Sequence, residues 1–287
     1  MKLSSYIALT KPRIVELLLV TTIPAMFVAS DGVPSVGLMV ATLAGGSLAA
    51  GGANAMNMVI DRDIDRRMER TRARPLVTGA VKPRSALQFA LVLEAVAFVE
   101  LWWMVNLLSA VLAVLATLFY ILVYTMWLKR RSAQNIVIGG AAGAVPVLVG
   151  WAAVTDRLSW AAIVLFAIIC LWTPPHFWSL AIRYREDYAL ARVPMLPAVA
   201  SFERTVIQVF AYTLALWIVS ILFAVVGHLG VLYMIAAAVL GALFVLYVIR
   251  LWRQRSARAA MKLFHYSITY ITLLFGAIAA DVVLRHP

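Results

Sequence analysis

Asn57, Asp61 and Asp65 stand at four-residue intervals, directly behind a stretch from Val36 to Met56 that carries no charge. If the helix of that stretch continues through them, all three project from one face, about 6 Å apart along the axis at ~1.5 Å rise per residue. Two carboxylates and one neutral amide oxygen suit a hard cation such as Mg2+, which keeps several waters and shares its remaining positions with phosphate oxygens. The same residues also describe a solvated helix end held by i,i+4 acid–base pairs. The neutral Asn57 in register and the abrupt border between oily and charged sequence favour the metal reading. Asp63 falls on a different face. On this reading Asp61→Asn or Asp65→Asn removes charge from the site and leaves a solvated helix end folded.

Arginines follow at once, among them Arg66, Arg72 and Arg74 ahead of Pro75-Leu76. A second polar stretch, Arg183-Tyr184-Arg185-Glu186-Asp187-Tyr188, repeats the theme, with Arg192 ahead of Pro194-Met195-Leu196. Asp187 is the candidate partner of the first array. Two such clusters could hold Mg2+ ions and a diphosphate between them, with Arg66, Arg72, Arg74, Arg183 and Arg192 supplying charge-assisted hydrogen bonds. Lys129-Arg130-Arg131 reads first as a short basic membrane anchor, and Lys129 joins the diphosphate candidates. Gln134 and Asn135 precede an apolar run and could cap its helix or touch a polar ligand. In Trp172-Thr173-Pro174-Pro175-His176-Phe177-Trp178 two prolines disturb the helical hydrogen bonds at membrane depth. His176, Trp172 and Tyr124 are candidate acceptor-binding residues for a flat ligand. The plain alternative for His176 is a satisfied core imidazole.

The elements that must position these residues are membrane helices. Of 287 residues, 64% are hydrophobic and 13% charged, far from the composition of soluble domains. Apolar runs of spanning length fall near 14–30, 36–58, 86–106, 108–128, 136–154, 160–182, 205–226, 230–249 and 264–284. With the N-terminus inside, nine spans place 23 of the 25 basic residues on cytoplasmic segments and leave only Arg157 and Arg285 outside, as the positive-inside rule asks. The net charge of +12 is then topology and contact with anionic headgroups, not nucleic acid. No polar segment is long enough for a second domain, so residues 1–287 form one unit. The expected fold is all-α: nine transmembrane helices around a central cavity, with the active site at the cytoplasmic face and the C-terminus outside. Small-residue segments, Ala44–Ala55 and Gly139–Ala144, allow close helix packing and could leave a cavity beside the ligand-bearing helix end. Cys170 has no second cysteine to pair with.

Taken together, Asn57 to Leu76, Leu128 to Arg131 with Gln134-Asn135, Trp172 to Trp178, and Asp187-Tyr188 with Pro194-Met195-Leu196-Pro197 resemble the UbiA superfamily of intramembrane prenyltransferases. Within it they are most similar to the branch that farnesylates protohaem IX. The resemblance covers residues 57–197. It implies that Asn57, Asp61 and Asp65 bind the Mg2+ complex of farnesyl diphosphate, that Asp187 completes the metal site, that protohaem IX is the acceptor, and that the protein sits in a bacterial inner (plasma) membrane. One departure stands out. Aromatic-acceptor members often have two acids four apart in the second motif, whereas Arg183 and Ala191 flank Asp187 at that interval, which argues against an aromatic-acid acceptor. The rivals are a prenyltransferase acting on a quinone precursor, a transporter of anions or metals, and a passive assembly factor. Transporters place polar sites near the midplane at interrupted helices, and an assembly factor has no need of acids in register.

Overall fold

The computed structural model describes residues 3–285, with residues 13–19 described by their backbone alone. Lys2, counted above among the cytoplasmic charges, lies outside the described residues. A short helix α1 (Leu3–Thr10) leads into α2 (Pro12–Ser30) and α3 (Val36–Ile60). Two short helices, α4 (Arg62–Arg67) and α5 (Pro75–Thr78), fold the first polar connection. The chain continues through α6 (Pro83–Met104) and α7 (Leu107–Leu118), a π-helical segment at Phe119–Leu128 and the single turn α8 (Lys129–Arg131). Next come α9 (Asn135–Thr155), α10 (Trp160–Arg183), the short α11 (Arg185–Leu190) and α12 (Leu196–Val199), then α13 (Phe202–Val226), α14 (Val231–Gln254) and α15 (Ala257–Arg285).

Eight stretches among the described residues are long and apolar enough to cross a membrane: α3, α6, the run Leu107–Arg131, α9, α10, α13, α14 and α15. The shorter apolar piece Val20–Ser30 belongs to the 19-residue α2. Local chemistry sets the ends. Ser35, Asn106, Ser159 and Ser201 accept hydrogen bonds from the first-turn amides of α3, α7, α10 and α13, satisfying groups that a helix leaves orphaned. Tight hairpins join α6 to α7 at Asn106 and α13 to α14 near His228. Asn106 also ties its corner down by donating to Ala152 O at 2.7 Å, and His228 adopts φ 50° between α13 and α14. Buried Asp281 on α15 receives the amides of Gly230 and Tyr233 at 2.7 and 3.2 Å, so one helix caps the start of another.

α10 packs against α9, α13 and α15, α3 against α6, and α2 against α3, α9 and α15. Both polar connections fold alike, a six-residue helix followed by a single turn that includes a proline. α10 runs through Pro174 and Pro175 without interruption, unlike the broken helices of transporters. Thr173 Oγ1 bonds back to Ile169 O and Ser179 Oγ to Pro175 O.

Candidate active site

The acid array forms as a continuous register across a helix junction. α3 ends at Ile60 and Asp61 sits at φ −85°, ψ 8°, yet its amide donates to Asn57 O at 2.9 Å and the Asp65 amide donates to Asp61 O at 2.8 Å. All three side chains are buried, with exposures of 2% for Asn57, 0% for Asp61 and 2% for Asp65. The expectation of a solvated helix end is therefore corrected: the loop from Met68 to Thr78 folds back over α4. Thr71 Oγ1 donates to Asp65 O at 3.0 Å and Arg62 Nε to Leu76 O at 2.9 Å, which fixes that cover in place.

Each buried carboxylate has its own cation. Arg74 Nη1 donates to both oxygens of Asp65, at 2.8 and 2.7 Å. Lys129 Nζ pairs with Asp61 Oδ2, which also accepts from Asn57 Nδ2 at 2.8 Å. Asp61 Oδ1 has no hydrogen-bond partner and only the Arg130 guanidinium at 3.8 Å. Asn57 Nδ2 also donates to Thr125 Oγ1 at 3.1 Å, and its Oδ1 accepts from Lys11 Nζ at 3.2 Å. Desolvation pushes the Lys11 ammonium down to about 7, helped by the charges of Arg74 and Lys129 and opposed by Asp65 and Asp61. Asp63 points away, as its face requires: it forms a 2.8 Å pair with each terminal nitrogen of Arg130. That hydrogen bonding, followed by the Arg130 charge, lowers its carboxyl to about 2 against the effect of burial.

The array opens onto a cavity of about 370 Å³, within the range of small-molecule sites. Lys11, Asn57, Asp65, Arg70, Arg74 and Lys129 line its polar end, and Asp61 lies behind them. Its walls are made by the small residues of α3 and α9, including Gly46, Ala50, Ala53, Gly139 and Gly143. Both readings of those segments hold, since Gly45 and Gly52 sit in close contact with Leu101 and Glu94 while other small residues border the cavity. Trp172 and Tyr124 face it, and Tyr120, stacked on Tyr124 at 5.5 Å, joins them. Lys129 Nζ lies 5.9 Å over the Tyr124 ring. The π-helical segment produces this grouping, because its i,i+5 spacing sets Lys129 under Tyr124 and lets Thr125 Oγ1 reach Tyr120 O at 2.8 Å. π-helical turns of this kind recur at functional sites.

Other expected site residues lie elsewhere. Arg66, Arg72, Arg183 and Arg192 are exposed and outside the cavity lining. The chain turns extended at Met68, which carries Arg72 outward to Glu69 at 3.5 Å. Arg183 stacks at 5.6 Å on Tyr184, whose ring also lies 5.8 Å from Arg70. Asp187 is not part of the cavity lining. Its Oδ2 accepts from the Arg70 amide at 3.4 Å and so clasps the two polar connections together, while its neighbour Tyr188 faces the cavity. His176 does not line the cavity either. Its ring stacks on Trp172 at 4.3 Å and on Phe264 at 4.6 Å, with Nδ1 at 2.7 Å from Ser267 Oγ. Trp172 Nε1 donates to Ser267 O at 2.7 Å, so His176 backs the tryptophan that faces the cavity. Gln134 contacts Gln208 at 3.5 Å, and buried Asn135 donates to Ser132 O at 2.6 Å. Both shape the turn after Arg131.

Sequence reasoning missed Lys11, Arg70, Tyr120 and Tyr188. In the sequence Lys11 is one of the basic residues expected on the cytoplasmic side and carries no further signal.

No group of three or more His, Cys, Asp or Glu side chains placed to hold a metal ion occurs among the described residues. The donor set nevertheless fits Mg2+, which needs only one or two carboxylates when phosphate and water complete its shell. Asn57 and Asp65 line the cavity, and the buried Asp61 Oδ1 behind them has no hydrogen-bond partner.

Comparison with known proteins agrees with this architecture. The profile of the UbiA prenyltransferase family matches residues 18–274. The chain is 50% identical over 291 residues to a protein of Renibacterium salmoninarum named protoheme IX farnesyltransferase, covering 100% of this chain and 92% of that one. Among solved structures, one of a digeranylgeranylglyceryl phosphate synthase superposes with a TM-score of 0.80 at 18% identity, covering 98% and 99% of the two chains. A UbiA homologue from Archaeoglobus fulgidus bound to DMAPP and Mg2+ gives 0.64 at 16% identity, covering 96% and 99%.

Proposed function

The chain belongs to the UbiA prenyltransferase family, and we propose that it transfers the farnesyl group of farnesyl diphosphate to a vinyl group of protohaem IX, giving haem O. The observation that carries the reading is the buried Asn57, Asp61 and Asp65 stack at the polar end of an apolar cavity that Trp172 and Tyr124 face. The 50% identical relative named for this activity supports it.

Asn57, Asp61 and Asp65 would hold Mg2+, and bound Mg2+ neutralises charge on the departing diphosphate. Arg74 and Lys129, both in the cavity lining, assist as fixed cations, the preorganised electrostatic role that dominates many such reactions. The allylic C–O bond breaks with its electron pair leaving on the diphosphate. The vinyl π pair then forms the new C–C bond to the farnesyl carbon. Water captures the resulting cation and loses a proton, leaving a hydroxyl. The stacked faces of Tyr120 and Tyr124 and the face of Trp172 shield the cationic carbon from bulk water and stabilise it through their ring quadrupoles. His176 positions Trp172. Asp187 holds the second polar connection over the site through Arg70.

The topology that supports this chemistry has nine spans, with α2 as the first, the N-terminus and both polar connections cytoplasmic and the C-terminus outside. It leaves 23 of 25 basic residues on the cytoplasmic side, as the positive-inside rule asks, and admits a water-soluble diphosphate head from the cytoplasm while the farnesyl tail lies among helices. The test is to incubate membranes containing the protein with Mg2+, farnesyl diphosphate and protohaem, with a parallel incubation in 4-hydroxybenzoate. Mass spectrometry should find a farnesylated, hydroxylated haem and no prenylated benzoate. The reverse pattern overturns the acceptor assignment.

A further inference from the structure

Among the described residues, Lys11 pairs with no carboxylate. It is one of six described non-glycine residues with positive φ, at φ 51°, ψ 65°. Pro12 follows it, and a proline bars its predecessor from the right-handed helical region, so the residue cannot simply extend either helix. Its position is held from the α1 side: Leu9 is fully buried, Asn54 Nδ2 donates to Thr10 O at 3.2 Å, and α1 packs against α3. Backbone strain that the surroundings enforce is found at functional sites. Here it delivers the Lys11 side chain into the polar end of the cavity.

Once there, its ammonium donates to the neutral Asn57 Oδ1 at 3.2 Å. The nearby acids are spoken for, Asp65 by Arg74 and Asp61 by Lys129. Among the described residues no carboxylate lies within ion-pair distance of Lys11. Lys11, Arg70, Arg74 and Lys129 thus converge at the head of the cavity on the two buried carboxylates of Asp61 and Asp65, so basic groups outnumber acids there among the described side chains. An ammonium so placed is costly until an anion compensates it.

We infer that Lys11 is a ligand of the substrate's diphosphate, leaving Asn57 Oδ1 for an anionic oxygen when the diphosphate enters. The inference rests on the proposed reading of the cavity as a prenyl diphosphate site. Releasing Asn57 Oδ1 also frees that oxygen to face the metal, so one side-chain movement serves both ligands.

The test uses the purified full-length protein and Mg2+ with inorganic pyrophosphate, by titration calorimetry, in wild type, Lys11→Gln and Lys11→Arg. Loss of a charge-assisted hydrogen bond should weaken pyrophosphate binding in Lys11→Gln on the order of ten- to a hundredfold, and Lys11→Arg should recover most of it. In the wild-type protein, Mg2+–pyrophosphate should slow acetylation of Lys11 by acetic anhydride, read by mass spectrometry, which needs no variant to fold. Equal pyrophosphate affinity in Lys11→Gln, or equal acetylation with and without pyrophosphate, overturns the assignment. A loss confined to protohaem binding assigns Lys11 to the acceptor's propionates and overturns it too. If wild type binds no Mg2+–pyrophosphate at all, the reading of the cavity itself fails.

Discussion

Asn57 and Thr125 are joined by a 3.1 Å hydrogen bond across 68 positions of chain, Nδ2 to Oγ1, between the end of α3 and the π-helical segment. Thr125 spends its own proton on Tyr120 O at 2.8 Å, which leaves its oxygen free to accept. The bond orients the Asn57 amide so that its oxygen faces the cavity head. Thr125→Val keeps shape and removes the acceptor. It should lower stability by about 1–2 kcal/mol and weaken Mg2+-dependent binding of farnesyl diphosphate several-fold, measured by thermal melting and calorimetry. Unchanged binding would show that Asn57 needs no such guide.

Asp61 couples the site to the fold. Because Lys129 is largely buried beside it, Asp61→Asn leaves a cation without its partner and should destabilise the protein by about 3 kcal/mol as well as abolish transfer. Adding Lys129→Met should restore much of the melting temperature and none of the activity. If Asp61→Asn melts like wild type, the buried pair contributes nothing to stability. Asp63→Asn, outside the cavity, should retain most activity.

His176 packs behind Trp172, so His176→Ala should act through that tryptophan. Removing the stacked ring and its contact to Ser267 should cost on the order of 3 kcal/mol and slow transfer, while the absorption spectrum of bound protohaem stays as in wild type. A shifted Soret band in the variant would instead make His176 an iron ligand.

Gly139 leaves room for Tyr124. A Cβ built at Gly139 would run into Cδ2 of the Tyr124 ring, so Gly139→Ala must push that ring into the cavity. Helix propensity alone would favour alanine by ~1 kcal/mol. The prediction is therefore a protein about as stable as wild type whose KM for the acceptor rises several-fold. A kinetically normal variant would place Tyr124 away from the acceptor.

Much of this architecture was legible in the residues themselves. The apolar runs located most helices to within a few residues, although α14 continues five residues past 249 and α15 begins seven before 264. The four-residue spacing of Asn57, Asp61 and Asp65 survived a helix junction because backbone hydrogen bonds bridge it. Small residues in α3 and α9 marked the cavity. What could not be read depended on chain turns. An arginine's letter does not say whether the loop after Met68 carries it in or out, and of six basic candidates only Arg74 and Lys129 reach the cavity. Nothing in Phe119–Leu128 announced a π-helix, since its i,i+5 bonds arise from tertiary packing. The ring stacked on His176 from α15 is nearly ninety residues away, beyond any local pattern.

The most direct measurement is electron paramagnetic resonance with Mn2+ in place of Mg2+ and a non-hydrolysable farnesyl thiodiphosphate. In wild type, bound Mn2+ should show hyperfine coupling to diphosphate phosphorus, and Asp65→Asn should lose that coupled signal. Bound Mn2+ with phosphorus coupling that persists unchanged in both Asp61→Asn and Asp65→Asn would contradict the assignment of the metal and diphosphate to this array.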